Sequence, residues 1–524
     1  MMKKVLFLLL FIHIYTFDFS QKNDYNWIIG SLGYEVYDSI TNNWFGINHF
    51  DFNGDTLVIN RDSSYMNFDW TNSAFSDDNG HLLFYTNGSS IANKYHEKIE
   101  NSDTLNPSYY SLVQAPDVLD GGYRAMQGTL VLPSFGNDSV FYLFHSTIDT
   151  AFIIDSKYYY KYLKLTTIDI AANAGHGKVI SKNQKIWNGI NYMGNITACK
   201  HANGRDWWIL EGHRGDNCYS RSLFSPTGIS SEEIQCIGNI QDSVSIYSNL
   251  FTPDGSKYIV SGAYNTGVYI YDFDRCSGLL SNEKHIDFPY LADSFWVLFS
   301  AVSANSRYLY VTTVKRLYQF DLWASDIAAS RILIAIPDTA IPDDIIFRSL
   351  ISIGQISLAP NGKIYIGADQ VSVQSYFHII DNPNFGGVNC QYKPYGLKLK
   401  AIIGFRKGFS NNPNYRLGRL LGSPCDTLTG IESQRGTTLL KSIQIYPNPS
   451  TEYIRVDYGN IEWNSSTEPI LSIYNMLGNE VYSSSLPAYS GIQDIDIKGL
   501  SSGMYLIQIR KDAKLLATGK FVKE

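Results

Sequence analysis

The 524-residue sequence has few charged residues, and those it has are spread out. Charged side chains make up 17% of the chain, and the formal net charge is -7. No cluster of lysine and arginine is long enough to follow a phosphate backbone, so neither nucleic acid nor an anionic membrane surface is an expected partner. Beyond residue 20 no apolar run is long enough for a transmembrane helix, so no membrane span is expected.

The motifs of several enzyme classes are missing as well. There is no GxxxxGK[ST] phosphate loop, no GxSxG nucleophile elbow and no HExxH zinc motif, since His96-Glu97 is followed by Lys98, Ile99 and Glu100. None of the cysteines forms a CxxC pair, which disfavours a thiolate metal site. The sequence therefore predicts no catalytic residue, no metal site and no cofactor.

The cysteines suit an oxidising compartment, where they could pair with one another. Cys199, Cys218 and Cys236 lie close together in sequence, which favours one disulfide among them, with buried free thiols as the alternative. The full set is Cys199, Cys218, Cys236, Cys276, Cys390 and Cys425.

Aromatic residues and glycine are plentiful by contrast. Aromatic side chains account for 14% of the chain, with 38 tyrosines, and there are 41 glycines but only 7 methionines. This bias is typical of short strands joined by tight turns, so the sequence predicts an all-β protein.

One pattern recurs six times: an apolar strand, a polar turn with Asn, Asp or Gly, and a second strand rich in aromatic and β-branched residues. Successive turns are 58, 66, 51, 51 and 56 residues apart, the length of a four-stranded sheet with its connections. Self-similarity at this period predicts a β-propeller. The turns are centred on Asn79, Asn137, Asn203, Asp254, Asn305 and Asn361.

Two segments, residues 27–60 and 400–421, fall outside the six repeats. Since a propeller closes by combining strands from both chain ends in one blade, they favour seven blades. Six blades, with the first segment as an accessory hairpin, is the alternative.

The chain ends complete the predicted domain organisation. Lys3 and Lys4 precede an apolar run over residues 5–17, which predicts a signal peptide, residues 1–20, cleaved after Ser20. The propeller is expected over 21–428 and a linker over 429–441. Seven short strands then predict a small Ig-like β-sandwich over 442–524. These strands are expected near residues 443–446, 453–457, 470–475, 480–484, 492–497, 504–510 and 515–522.

Two groups of residues have weak similarity to functional sites. His201 and His213 flank a predicted strand with Glu211 nearby, which could form a metal or acid–base cluster, although a turn histidine bonded to backbone explains His201 equally simply. Residues 76–80 resemble the Asp-box turn of sialidase propellers, but a structural hairpin turn is the simpler interpretation.

The last 80 or so residues resemble the C-terminal sorting domain of the Bacteroidota type IX secretion system. The resemblance implies export through the inner membrane by the signal peptide, passage across the outer membrane by recognition of this domain by the type IX machinery, and removal of the domain by a sortase-like protease. The residues that match are Tyr446, Pro447, Asn448, Pro449, Gly478, Val481, Gly503 and Tyr505, with the closing GKFVKE.

The body of the chain, from about Trp27 to Leu428, contains runs such as SDDNGHLLFYTNG, FTPDGSKY and NPNYRLGRLLGSPCDTL. In these runs it resembles the secreted propeller proteins that commonly carry this sorting domain. The run from Phe409 to Pro413 departs from the family pattern, and no WD dipeptide marks a blade. The resemblance implies a propeller without an established biochemical activity.

Asp-Ser or Asp-Thr followed by an aliphatic residue occurs unusually often. This resembles the O-glycosylation sequence of Bacteroidota and predicts sugars on surface loops, while the turn preference of Asp-Ser and Asp-Thr is the alternative. The sites are Ser39, Thr56, Thr104, Ser139, Thr150, Ser243, Thr339 and Thr427.

Taken together, the sequence predicts a secreted or cell-surface propeller of the recognition type, whose ligand is an unknown protein or glycan. One alternative is a propeller hydrolase of the glycosidase type, with two carboxylates in the axial funnel. The other is a structural component of the cell envelope or matrix.

Overall fold

The structure is a computed structural model of the chain. It describes residues 21–30, 36–38, 43–62, 64–152, 157–192, 194–239, 246–262, 267–288, 297–313, 315–336, 353–367, 374–404, 408–426, 441–458, 468–475, 479–486, 491–511 and 514–524. The chain divides into two compact units, Met1–Leu428 and Thr429–Glu524. The predicted signal peptide and most of the predicted linker lie outside the described residues.

Strands dominate the first unit, so the prediction of an all-β chain is confirmed. Strands β1–β8 are Asn26–Gly30, Val36–Asp38, Asn43–Phe45, Ile47–Asp51, Val58–Asp62, Ser73–Ser76, Leu82–Thr86 and Ile91–Asn93. Strands β9–β17 are Thr129–Pro133, Val140–Phe152, Lys157–Asp169, Lys178–Tyr192, Thr197–Lys200, Trp207–Gly212, Cys218–Ser225, Gly228–Ile229 and Glu233–Cys236. Strands β18–β29 are Ile246–Phe251, Lys257–Gly262, Gly267–Asp274, Leu279–Ile286, Val297–Val302, Tyr308–Thr313, Leu317–Asp321, Ile332–Ala335, Ile356–Leu358, Ile364–Ile366, Gln374–Ile380 and Tyr392–Ile403.

Helical structure in the described part of the first unit is confined to single turns. The α-helix α1 spans Val118–Gly121, a π-helical turn spans Tyr110–Gln114, and two 3₁₀ turns span Asn173–Gly175 and Gly387–Cys390. No helix in the described ranges is long and apolar enough to cross a membrane.

The strands of the first unit form seven sheets that follow one another along the chain. The first sheet consists of β1, β4 and β5, and the second of β6 to β8. The third to sixth sheets consist of β9 to β12, β13 to β17, β18 to β21 and β22 to β25, respectively. The seventh has the order β2-β3-β29-β28-β27-β26. Neighbouring strands are antiparallel, except that β3 and β29 pair in parallel through Phe45 and Ile402.

All six repeated turns of the sequence connect the first two strands of a sheet, in the second to the seventh sheet. The mechanism is the predicted one, because an Asn or Asp side chain accepts hydrogen bonds from backbone N–H groups two to four residues further on. Asp77, for example, accepts from the N–H groups of Asn79 and His81 at 2.9 and 2.8 Å. Gly80, Gly204, Gly255 and Gly362 supply the positive φ that four of the turns require.

Each sheet shares a hydrophobic cluster with the next, and the seventh shares one with the first. Alternation along each strand places one apolar face on either side of a sheet, so every sheet can pack against two neighbours. Around the series, the shared clusters include Ile28 with Tyr85, Phe84 with Phe141, Phe144 with Phe224, Tyr219 with Tyr258, Ile259 with Val311, Tyr310 with Ile364, and Phe377 with Phe50.

The junction between the two ends of the unit agrees only in part with the sequence prediction, since one sheet does combine strands from both ends. The N-terminal strands β1, β4 and β5 form a sheet of their own, rather than a blade completed by a strand from residues 400–421. The chain ends meet instead where β2 and β3 extend the seventh sheet beyond β29. Phe50 and Phe377 stack across this junction with ring centroids 5.7 Å apart, a contact worth about 1 kcal/mol beyond the buried area.

The second unit contains the seven predicted strands and one more. Strands β30–β37 are Lys441–Ser442, Gln444–Tyr446, Tyr453–Asp457, Ile470–Asn475, Glu480–Ser485, Ile492–Asp496, Gly503–Lys511 and Lys514–Lys523. They form a sheet of order β30-β37-β36-β33-β34 and a second of order β31-β32-β35. Alternating residues of both sheets, such as Ile454, Val456, Ile507 and Ile509, share one core.

His145 makes the stability of the first unit depend on pH. Its ring is fully buried in β10, where Nδ1 lies 2.6 Å from Asn106 Oδ1 and Nε2 lies 2.9 Å from Thr166 Oγ1. Burial, with a further contribution from the charge of Lys164, lowers the pKa of His145 from 6.5 to about 3. Between these values the unfolded chain binds a proton that the folded chain excludes, so the free energy of unfolding falls as pH decreases through this window.

We expect this loss to reach roughly 3 kcal/mol at about pH 4, from 1.36 kcal/mol per unit of pKa difference. Urea unfolding of the native chain and of His145→Gln at several pH values measures it. The variant should lack this share of the pH dependence, while His378, whose burial lowers its pKa to about 4, contributes equally to both proteins. If the free energy of unfolding had the same pH dependence in both proteins, the effect could not be assigned to His145.

Candidate functional site

A segment without regular structure, residues 408–416, crosses the inner ends of the sheets, and we call it the central segment. Asn411 is its best-anchored residue. Its side-chain amide donates to the carbonyl oxygens of Gln127, Thr129 and Ile196 at 3.3, 2.7 and 3.0 Å, and its backbone N–H donates to the carbonyl of Asn72 at 2.9 Å. The side chain and backbone of Asn411 together thus connect segments that lead into the second, third and fourth sheets.

Asn414, Tyr415 and Arg416 provide further anchors of the central segment. The Asn414 amide donates to Pro253 O at 2.7 Å, and Tyr415 Oη donates to Val131 O at 2.8 Å. Arg416 forms a bidentate ion pair with Asp24, with N–O distances of 2.5 and 2.8 Å. Bidentate geometry fixes both partners and is the stronger form of such a pair.

Between the central segment and three of the sheets lies a cavity of about 380 Å³. Its wall is formed by the first strands of the fifth, sixth and seventh sheets, through residues such as Leu250, Ala301 and Ile356, and by the central segment on the opposite side. A smaller cavity of about 90 Å³ adjoins it, and residues 411–414 line both. The larger volume falls within the range of small-molecule sites.

The lining of the larger cavity mixes aromatic and uncharged polar groups. Phe251 and Phe299 contribute aromatic rings, and Ser300 and Ser357 contribute hydroxyl groups. Asp24 is the only carboxylate among the described lining residues, and its oxygens are held by Arg416. The cavity therefore offers uncharged hydrogen-bonding groups and apolar faces rather than a free acid.

Asn412 stands in the wall that the two cavities share. Its side-chain oxygen and nitrogen are shielded from solvent, and neither has a hydrogen-bond partner among the described residues. An amide left in this state costs about 1–3 kcal/mol per unsatisfied group, and such groups are normally paired with protein, water or a ligand. Asn412 is therefore a lining residue whose amide oxygen and nitrogen both have unused hydrogen-bonding capacity.

The two histidines suggested by the sequence have separate partners. His201 Nδ1 accepts from the N–H of Asn203 at 3.1 Å, and its Nε2 lies 3.1 Å from Cys276 O, so His201 is a turn residue bonded to backbone. His213 Nε2 lies 2.8 Å from Ser220 Oγ. His213 also lies near Asp216 and Cys218, but the Cys218 sulfur is bonded to Cys236 and is not available as a thiolate ligand.

Glu211 is fully buried away from both histidines. Its carboxyl accepts from the N–H of Gly194 at 2.8 Å and from Ser146 Oγ at 3.2 Å. Burial raises the pKa of Glu211 to about 8, so the carboxyl is largely protonated at neutral pH. No feature of the sequence distinguishes this glutamate from the exposed ones.

The disulfide pairing agrees with the prediction and adds to it. Cys218–Cys236 is the bridge expected among the first three cysteines, and it joins directly paired residues of β15 and β17. A second bridge, Cys276–Cys425, ties the turn after β20 to the end of the described part of the unit. Cys199 and Cys390 are free and buried.

The residues that resemble a sorting signal come together in the second unit. Tyr446 ends β31 at the edge of the smaller sheet, as expected for a strand followed by two prolines. Asn448 Oδ1 accepts from Val522 N–H at 2.9 Å, and its Nδ2 donates to Lys520 O at 3.2 Å. The YPNP run is therefore hydrogen-bonded to the closing strand β37.

The other residues of this set have different environments. Tyr505 is buried against Phe521 with ring centroids 5.4 Å apart, and its hydroxyl donates to Ser501 O at 2.7 Å. Gly503 begins β36, whereas Val481 is exposed on the edge strand β34. Gly478 lies outside the described residues.

The predicted glycosylation sites are only partly within the described residues. Thr56 and Thr104 are exposed, and Ser139 and Thr150 are partly exposed. The other four, Ser39, Ser243, Thr339 and Thr427, lie outside the described residues, and modification of all eight stays a prediction. Residues 76–80, considered as an Asp-box, form the hairpin turn described above.

Sequence reasoning missed the central segment as a site. In the sequence, residues 409–413 differ from the family pattern but show no recognisable site motif. The sequence feature that could have indicated this site is the group of three asparagines after the last strand, Asn411, Asn412 and Asn414. Outside a β-sheet, their side-chain amides can hydrogen-bond to backbone groups elsewhere.

Residues 444–524 match the family of secretion system C-terminal sorting domains. The chain therefore carries a type IX sorting domain, and it is exported to the cell surface or secreted. The finding agrees with the resemblance drawn from the YPNP run and the closing strand. No curated protein shows significant similarity to the chain.

Several solved structures are similar in fold at low identity. A protein from Lactobacillus plantarum is 12% identical with a TM-score of 0.42, over 73% of this chain and 98% of that one. The periplasmic gluconolactonase of Pseudomonas aeruginosa is 9% identical with a TM-score of 0.39, over 73% and 99%. PorZ, a surface component of the type IX secretion system of Porphyromonas gingivalis, is 11% identical with a TM-score of 0.34, over 91% and 63%. Similarity at this level contributes nothing to a functional assignment.

Proposed function

We propose that this exported protein is a seven-bladed β-propeller that recognises a sugar in its central cavity and is delivered by its C-terminal sorting domain. The blade number is supported by seven successive sheets, each sharing a hydrophobic cluster with the next and the last with the first. In a propeller the inner strands surround an axial channel. The central segment fills one part of that channel, and the cavity is the part it leaves open.

The observation that carries the proposal is the uncharged polar lining of this cavity, with the unpaired amide of Asn412 in its wall. A side-chain amide offers both a donor and an acceptor, which matches the hydroxyl groups of a sugar. The rings of Phe251 and Phe299 provide apolar surface for the C–H faces of a pyranose. A concave site of this size suits a small ligand better than the surface of a folded protein.

The lack of free carboxylates among the described lining residues favours recognition over hydrolysis. A glycosidase mechanism requires two carboxyl groups about 5–10 Å apart on either side of the scissile bond. Among the described lining residues only Asp24 carries a carboxylate, and Arg416 occupies both of its oxygens. The described lining thus supplies binding groups without a free acid–base pair.

The test is binding of the secreted full chain to a printed glycan array, followed by calorimetric titration of the sugars retained. Asn412→Ala should weaken binding by about tenfold, the effect of losing one or two hydrogen bonds to a ligand. Ser357→Phe, which places a ring in the cavity, should abolish it. Asn79→Ala, in an exposed turn, is the matched control and should bind like the native chain.

Three outcomes would overturn the proposal. They are absence of binding to any sugar, equal binding by the native chain and Asn412→Ala, or turnover of a glycoside by the native chain. Retention of a protein from the culture medium, without binding of any sugar, would favour a protein ligand instead.

A further inference from the structure

Lys164, in the middle of β11, is a buried cation without a buried anion. Its side chain is only 3% exposed, and its ammonium group donates to the carbonyl oxygen of Pro107 at 3.2 Å. No carboxylate of the described residues lies within ion-pair distance of it. Burial of an ammonium group is costly unless a counter-charge accompanies it, so this lysine lacks a structural explanation.

A second unneutralised cation lies directly across the sheet. Lys185 in β12 pairs in register with Lys164, and like charges at directly opposed positions destabilise a sheet. Lys185 is exposed, and it too has no carboxylate partner among the described residues. Two adjacent strands therefore bring two positive charges together at a cost to stability.

The ring of Tyr162 lies close to both ammonium groups. The Lys185 nitrogen is 4.0 Å from the ring centroid and the Lys164 nitrogen is 5.8 Å from it. Lys161 is 5.4 Å from the same centroid, but it is neutralised by Asp149 at 3.7 Å. The aromatic face holds the two free cations near each other without supplying a full negative charge.

The groups around the pair cancel only part of its charge, because Asp149 is shared between Lys161 and Lys164. His145, opposite Lys164 in β10, is neutral because burial lowers its pKa to about 3. Burial, and then the charge of Lys185, lower the pKa of Lys164 to about 8 against the opposing charge of Asp149, so Lys164 remains mostly protonated at neutral pH. In a chain of net charge -7, this is a local positive site.

We propose that Lys164, Lys185 and Tyr162 form a binding site for a phosphate or sulfate group. A tetrahedral oxyanion directs oxygens toward donors on separate strands, and it supplies the missing counter-charge for both ammonium groups. The site is separate from the central cavity, since none of its residues lines that cavity. An exported protein can meet such groups on a sulfated polysaccharide.

The experiment titrates inorganic sulfate and inorganic phosphate into the full chain by calorimetry at low ionic strength, because screening weakens exposed charge interactions. Lys185→Gln removes the exposed cation without disturbing the buried one and should lower the affinity by about tenfold or more, the effect of a charge-assisted bond. Lys182→Gln is the matched control, because this lysine lies on the same strand and donates instead to Asn101 O and Asp103 O. It should bind like the native chain.

Two further probes distinguish the source of the anion. Retention on dextran sulfate supports the sulfated polysaccharide, whereas sedimentation with vesicles of one part phosphatidic acid to four parts phosphatidylcholine, without retention on dextran sulfate, would assign the anion to a lipid headgroup instead. Either result must be lost in Lys185→Gln and kept in Lys182→Gln. The proposal is overturned if the native chain binds neither inorganic anion, or if the two lysine variants weaken binding equally.

Discussion

A chain lacking residues 443–524 is expected to remain in the periplasm, with no detectable release to the surface or the medium. The missing part is the sorting domain, which has its own hydrophobic core, and the first unit keeps all of its described sheets and clusters without it. Fractionation and surface labelling of cells that express the full and shortened chains measure the effect. Unchanged surface delivery of the shortened chain would refute the role of this domain.

A single substitution can test the YPNP run without deletion of the whole sorting domain. Asn448→Ala removes both hydrogen bonds between the YPNP run and β37, and it should reduce export while leaving the first unit folded. Lys498→Ala changes an exposed residue of the same domain and serves as the control. Equal export of the two variants would place recognition elsewhere in the domain.

Removal of the Cys276–Cys425 bridge is expected to lower the stability of the first unit more than removal of the Cys218–Cys236 bridge. A cross-link restricts the unfolded chain more when it closes a longer loop. The sequence separations are 149 for this bridge and 18 for Cys218–Cys236. On the chain-entropy relation these correspond to about 5 and about 3 kcal/mol.

Urea unfolding of Cys276→Ser/Cys425→Ser and of Cys218→Ser/Cys236→Ser, each against the native chain, measures the difference. The first pair should lower the free energy of unfolding by about 2 kcal/mol more than the second. The second pair is a matched control, since it removes the same atoms from the same unit. A larger loss for the short bridge would show that the cross-links act mainly on the folded state.

The local parts of the fold were predictable because their causes are local. The turn at Asp254, for example, follows from a side chain that bonds to the N–H of Ser256, two residues on. In the second unit, alternating apolar residues fixed the strands to within a residue or two. The sorting signal was recognisable because the order and spacing of its motif residues can be read directly from the sequence.

The central cavity was not predictable, because its walls come from distant parts of the chain. The Asn411 amide bonds to carbonyl groups more than two hundred residues away, and no local pattern specifies such a partner. The same limitation applies to the closure of the unit. The sequence suggested one sheet with strands from both ends, and β3 and β29 do meet in one sheet, but nothing in the sequence indicated that β1, β4 and β5 form a further sheet.

The contact between Asn448 and the closing strand has a consequence for the timing of export. Residues 446–450 cannot reach their final partners until residues 520–524 have been synthesised. The first part of the signal is therefore incomplete on any truncated chain, however well its propeller has folded. Recognition of the finished domain would act as a check on full-length synthesis, so that fragments stay behind and only complete molecules proceed to the surface.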